Sequence, residues 1–144
     1  MSPIGASQRR LEDARFLTGT ARFIDDIAPP GALHGVVVRS PHAHAAIEAI
    51  GADAARRMAG VRGVFTVADL DVDGIGTLPC TAQVATLAPL IVPPRPALAR
   101  DRVRHVGDPV AFVVANSLNQ ARDAAESVIV RYRPLPAVTD ARAA

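Results

Sequence analysis

VRHVGDPVAFVVANSLNQARDAAESVIVRY, Val103 to Tyr132, reads as strand, helix, strand with almost no spare residues. Pro109 to Ala115 is a continuous apolar run of strand length, the pattern of a strand covered on both faces. Gly107-Asp108-Pro109 ahead of it is a turn signal. Ser117 stands where a helix N-cap belongs, and Gln120 three residues on completes a capping box. Leu118, Ala121, Ala124, Ala125 and Val128 then follow helical spacing, leaving Arg122, Asp123 and Glu126 on other faces. An alanine-rich buried face lets the helix sit close to a sheet. Val128, Val130 and Tyr132 alternate with Ile129 and Arg131 until Pro134 ends the run. If the two strands are parallel in one sheet, the crossover between them is right-handed.

Outside this unit, composition sets the bounds. At 144 residues and 49% hydrophobic, the chain can bury a core as one domain. Aromatics are 3% and Trp is absent, so that core is built from Ala, Val, Leu and Ile. The pI of about 9.5 accompanies a formal charge of only +2. The cause is the absence of lysine: arginine stays charged to very high pH. With few stacking aromatics and no dense basic stripe, nucleic acid is not an expected partner. Cys80 is the only cysteine, so no internal disulfide is possible. The N-terminus lacks the apolar core of a signal peptide, and no apolar run approaches membrane-spanning length. A cytoplasmic location without membrane contact is the expectation.

Taken in order, the chain opens on a polar arm whose residues 8–15 mix charges and have little to bury. Thr18 to Asp26 reads as a turn and a short extended piece, broken by Pro29-Pro30-Gly31. Leu33 to Arg39 is a strand closed by Ser40-Pro41, where no helix can cross. Ala46 to Ile50 alternates as a second strand. Asp53 can cap a short helix through Met58, with Gly60 as its stop. Val61 to Val67 is a third strand. From Asp71 to Ala99 regularity fails, and Pro79, Pro89, Pro93, Pro94 and Pro96 punctuate the segment. So long a structureless loop is unusual in a compact domain, and Leu87, Leu90, Ile91 and Val92 make it too apolar for water. Either it folds over the domain's own sheet or it packs on something outside this chain.

Chemistry is sparse. His42 and His44, alternate residues on an extended segment, could share a metal with Asp25, Asp26 or Asp108, but no third ligand has telling spacing. A polar turn with backbone-bonded histidines is the simpler reading. His105 beside Asp108 could be a base and its orienter, yet no nucleophile is implied. His34 reads as a packed or edge histidine, Asp25-Asp26 as a solvated turn, and Cys80 as an unactivated thiol.

Four segments carry a resemblance. They are Arg10 to Gly19 with Ala21 to Asp26, Leu33 to Ile47, Gly60 to Asp69, and Leu98 to Ala115 continuing through Tyr132 to Val138. In this order they resemble the opening domain of the molybdenum-binding large subunit in the xanthine dehydrogenase and aldehyde oxidase family, above all the carbon monoxide dehydrogenase and isoquinoline oxidoreductase types. The resemblance implies an α+β fold, the α/β-hammerhead, with a mixed sheet of several strands and two helices. It implies an arm over 1–22, the hammerhead over 23–138, and over 139–144 the start of a linker to further domains. Two departures stand out: Ala59 replaces the proline usual before Gly60-Val61, and Arg133 follows Tyr132 where an acidic residue is common.

In that family the cofactor contacts and the catalytic glutamate lie in later domains. The glutamates here are Glu12, Glu48 and Glu126, none in a glycine-rich setting. The resemblance therefore implies no catalytic, cofactor-binding or metal residue in this chain and no activity alone. The parent enzyme would use molybdopterin, with [2Fe-2S] and FAD in partner domains or subunits, and those would be the partners. The alternatives are a free-standing ligand- or protein-binding module of the same fold and, behind it, a metal-dependent hydrolase centred on His42 and His44.

Overall fold

The computed structural model describes residues 4, 5, 7, 10–81 and 90–142. Part of the arm and residues 82–89 of the predicted loop, Leu87 among them, thus lie outside the described residues. The chain divides into two units, one up to Ala32 and one from Leu33 onward.

The N-terminal unit holds one short helix, α1 (Asp13–Leu17), with no buried residue. Arg15 pairs with Glu12 along it, and the Phe16 and Phe23 rings stack at 5.1 Å. The extended piece expected before Asp26 is instead a 3-10 turn, Ile24–Asp26. Asp26 closes it by accepting the Phe23 amide at 2.8 Å, a local bond that competes with extension.

The second unit runs β1 (His34–Arg39), β2 (Ala45–Gly51), α2 (Asp53–Arg56), β3 (Val61–Phe65), α3 (Val67–Val72), β4 (Arg102–Val103), β5 (Pro109–Ala115), α4 (Leu118–Glu126) and β6 (Ile129–Pro134). The α+β class and the hammerhead's mix of strands and short helices are present. The sheet differs in detail from the single mixed sheet expected. There are two three-stranded sheets, β1-β5-β3 and β4-β2-β6, and every pairing is antiparallel. β5 and β6 therefore do not share a sheet across α4. Both edges of β5 are occupied by β1 and β3, so β6 pairs with β2 instead.

Two apolar clusters hold this unit. In the first, Ala124 and Val128 of the α4 segment, Ala52 at the cap of α2 and Ala55 within it close over Val64, Ala111 and Val113. In the second, Ala45, Ala99, Val103 and Val110 meet between the sheets, and Ile50 and Val130 touch both clusters. The small side chains permit the close approach that the alanine pattern implied. Ala121 and Ala124 are fully buried. Leu118, expected on the same face, is the first residue of the helix and is 39% exposed. Ser117 caps α4, accepting the Gln120 amide at 3.3 Å.

β5 also departs from its reading. Ala111, Val113 and Ala115 are buried beneath the helices, and Val110 is buried against the second sheet, but Phe112 is 36% exposed. One face is covered along its length and the other only at its end.

α3 was not expected. Asp69 accepts both the amide of Thr66 (2.6 Å) and its hydroxyl (2.9 Å), a cap that turns the chain into a helix where strand residues end. α2 begins one residue earlier than a cap at Asp53 requires. Ala52 is its N-cap, and Asp53 instead lies 3.6 Å from Arg56. Gly60 follows with φ +83°, the left-handed turn its position implied.

The long loop begins after α3 and is fastened at its base. Arg100 forks onto Asp71 at 2.5 and 2.6 Å, and the Leu78 amide donates to the Arg95 carbonyl at 2.8 Å. Its two alternative placements are divided between its parts. Leu98 and Ala99 enter the core, while Ile75, Leu78, Leu90, Ile91 and Val92 stand in solvent. Arg133, the residue out of pattern, reaches Glu48 at 3.3 Å across β6 and β2.

Candidate functional site

The polar junction of the second unit lies where β1 leaves its sheet. Pro41 stops the strand, and Ser40 is the one buried polar residue among the described residues. Ser40 donates its amide to the Asp108 carbonyl (2.9 Å), and its carbonyl accepts the Gly107 amide (2.8 Å). Its hydroxyl accepts the His42 amide at 3.0 Å. Asp108 folds back to accept the Arg104 amide at 2.9 Å, and Gly107 has φ +88°, a conformation that favours glycine. The two turn signals read from sequence are thus one knitted corner.

The histidines flank this corner on separate errands. His42 lies edge-on to Tyr132, ring centroids 4.9 Å apart. Burial pushes the Tyr132 hydroxyl above its ordinary pKa. His44 donates Nδ1–H to the Pro136 carbonyl at 2.7 Å, fixing the chain that follows β6. His42 and His44 therefore have different anchors. His105 Nδ1 stands 3.8 Å from Asp108 Oδ2, beyond hydrogen-bond length. The base-and-orienter reading fails in this geometry because Asp108 is engaged by the corner's backbone. His34 is exposed at the start of β1, and Cys80 is an exposed free thiol. Asp25 and Asp26 lie in the N-terminal unit, Asp26 as the turn-closing acceptor. Among the described residues no three His, Cys, Asp or Glu side chains group to hold a metal.

A solvent-open notch of about 530 Å³ lies between His44, Arg102, Arg104, His105 and residues 136–139. Asp101 sits 3.4 Å from Arg102 beside it. A groove of about 360 Å³ runs along the face of β1-β5-β3 that carries Phe112, between Phe65, Phe112, Leu70 and Leu98. The sequence reading singled out neither. Arg102 and Arg104, alternating about buried Val103, signal the first; Gly35 and Gly63, set inside strands, signal the second.

Residues 18–136 match the family described as "Aldehyde oxidase and xanthine dehydrogenase, a/b hammerhead domain". The carbon monoxide dehydrogenase large chain of Afipia carboxidovorans is 39% identical over 137 residues, 95% of this chain and 16% of that protein. The nicotine 6-hydroxylase large subunit of Paenarthrobacter nicotinovorans is 41% identical over 140 residues, 96% of this chain and 16% of that one. Among solved structures, quinoline 2-oxidoreductase from Pseudomonas putida 86 superposes with TM-score 0.83 at 40% identity, over 99% of this chain and 18% of that chain. Carbon monoxide dehydrogenase from Oligotropha carboxidovorans superposes with TM-score 0.80 at 38% identity, covering 94% of this chain and 16% of that one. The chain spans about one sixth of the length of the relatives it matches.

Proposed function

Because the chain belongs to the aldehyde oxidase and xanthine dehydrogenase family, as its a/b hammerhead domain, we propose that it is a non-catalytic structural part of a molybdenum-containing hydroxylase or dehydrogenase. The carrying observation is the match of 95% of this chain to only 16% of a carbon monoxide dehydrogenase large chain. The chemistry of that enzyme then falls to the remaining polypeptide and its subunits. Molybdopterin, [2Fe-2S] and FAD are assigned there, and no catalytic, cofactor-binding or metal residue is assigned to this chain.

The residues present do not suit a molybdopterin seat. Such a group needs several convergent polar donors, and among the described residues no buried side-chain N or O lacks a partner. The apolar groove offers one guanidinium, Arg39, and the cationic notch is open to solvent.

The domain division proposed is an arm over 1–22, the hammerhead over 23–138 and a connector over 139–144. The arm and the loop over 71–99 are the proposed contacts with the rest of the enzyme. The loop's exposed Ile75, Leu78, Leu90, Ile91 and Val92 support that role. No helix among the described residues is long and apolar enough to cross a membrane; a cytoplasmic setting is part of the proposal.

The test is elemental analysis and dye-linked turnover on the purified chain, with the reading frame that continues or adjoins it. The expected result is no molybdenum, no oxidation of aldehyde or purine, and a continuing or neighbouring frame with molybdenum-domain motifs. Near-stoichiometric molybdenum in this chain, or turnover by it, would overturn the reading.

A further inference from the structure

The face of β1-β5-β3 that the described residues leave uncovered carries an aromatic row. Phe112 of β5 stands in register with Val37 of β1 and with Phe65 of β3. In the next row Gly35 and Gly63 flank Val114. Both glycines leave space that a ring occupies. A β-carbon at Gly35 would lie 2.4 Å from Phe112 Cζ, and one at Gly63 2.7 Å from Phe65 Cε2. The rings therefore lie along the sheet over bare backbone and present their faces outward. The chain has four phenylalanines, one tyrosine and no tryptophan, so placing two of the five aromatics here is a large share. Phe65 is 39% and Phe112 36% exposed.

The groove they form with Leu70, Ala97 and Leu98 is apolar except at Arg39. That side chain donates to the Gly107 carbonyl at 2.8 Å and pairs with no carboxylate among the described residues. At Leu70 the groove adjoins the exposed loop, where the Ile75 amide bonds the Leu70 carbonyl at 2.9 Å. A contiguous apolar face with a charged rim is the surface of an interface core.

We propose that this groove is the seat of a segment from the rest of the parent polypeptide, one that presents aliphatic or aromatic side chains to Phe65, Phe112 and Leu98 and a carboxylate to Arg39. The proposal rests on the reading of this chain as part of a larger molybdenum enzyme. Its relatives carry far more polypeptide than the matched region, which is 16% of the carbon monoxide dehydrogenase large chain and 18% of the quinoline 2-oxidoreductase chain. A guanidinium without a carboxylate partner among the described residues selects an acidic rather than a basic occupant.

Hydroxyl-radical footprinting read by mass spectrometry tests this on the 144-residue chain alone and on the molybdenum-containing assembly that holds it. The expected result is labelling of Phe65 and Phe112 in the dilute chain and its loss in the assembly. Arg39→Glu in the assembly should return labelling to Phe112; continued protection in that variant removes the carboxylate and with it the proposed occupant. Full labelling in a molybdenum-loaded assembly overturns the docking and leaves the family reading standing. Protection that grows with the concentration of the isolated chain assigns the groove to a second copy. Protection already present at dilution assigns it to the chain's own residues, and either result overturns the proposal. An assembly without molybdenum removes the underlying reading as well.

Discussion

Ala124 is the position at which the packing of α4 can be tested most sharply. Its side chain is fully buried and shares a cluster with Ala111 and Val113 on β5 and Ala55 on α2. Leucine there adds three carbons. Were there room, burying them would stabilise the fold by roughly 2.4 kcal/mol, at about 0.8 per methylene. There is no room, because the helix stands on alanines and valines in a close-packed interior. The added volume forces side chains off their rotamers or lifts the helix, and overpacking of this kind destabilises by about 1–3 kcal/mol net. For a chain of this size that lowers Tm by roughly 3–10 °C, read by thermal unfolding followed by circular dichroism. Arg122→Ala on the exposed side of the same helix should stay within about 0.5 kcal/mol of the parent. Removing volume opposite, as Ala124→Leu with Val113→Ala, should cost less than the sum of the single changes, because the two side chains share one space. An unchanged Tm for Ala124→Leu, or strict additivity in the double variant, would refute the close helix–sheet contact.

Four other outcomes are expected. Ser117→Ala removes the acceptor for the Gln120 amide and should cost about 1 kcal/mol in urea unfolding; no change would mean that water caps α4 equally well. Gly60→Ala should destabilise by about 1 kcal/mol or more, because φ is +83° there and an L side chain is strained whatever the displaced Gln120 does. Bonds from the Thr66 amide and hydroxyl, aided by Arg56, outweigh burial and hold the Asp69 carboxyl below its ordinary 3.8. A folded pKa below the unfolded one stabilises fully above that value and is lost as pH falls through the folded pKa, so Asp69→Asn should flatten stability against pH below about 3.8. Hydrogen exchange on the isolated chain should find the amides of Gly76, Thr77, Leu90, Ile91 and Val92 far less protected than those of Val110 to Val114. Equal protection would place the loop in the domain's own core and end its proposed role as a contact.

Sequence alone determined the elements whose information is local. The Ser117 cap, the alanine stripe of α4, the strand ends at Pro41 and Pro134 and the glycine stop at 60 each act within a few residues, and each is present in the structure. The four resembling segments, spread over nearly the whole chain, likewise sufficed for the family and for the hammerhead's α+β class. Pairing was not local. A run such as Pro109 to Ala115 shows that a strand is buried but not which edges its neighbours take, and β1 and β3 claimed both. Nor does an apolar run say whether each face has a cover. The helices cover Ala111 and Val113, the second sheet covers Val110, and Phe112, in neither cluster, is left 36% exposed. His42 and His44 show the same limit at the level of chemistry. Their spacing allowed one shared ligand, but tertiary contacts gave each its own partner, Tyr132 and the Pro136 carbonyl. Short-range geometry is written in neighbouring residues. Which surfaces meet depends on the whole chain's competition to bury apolar area, and only the folded structure shows who won.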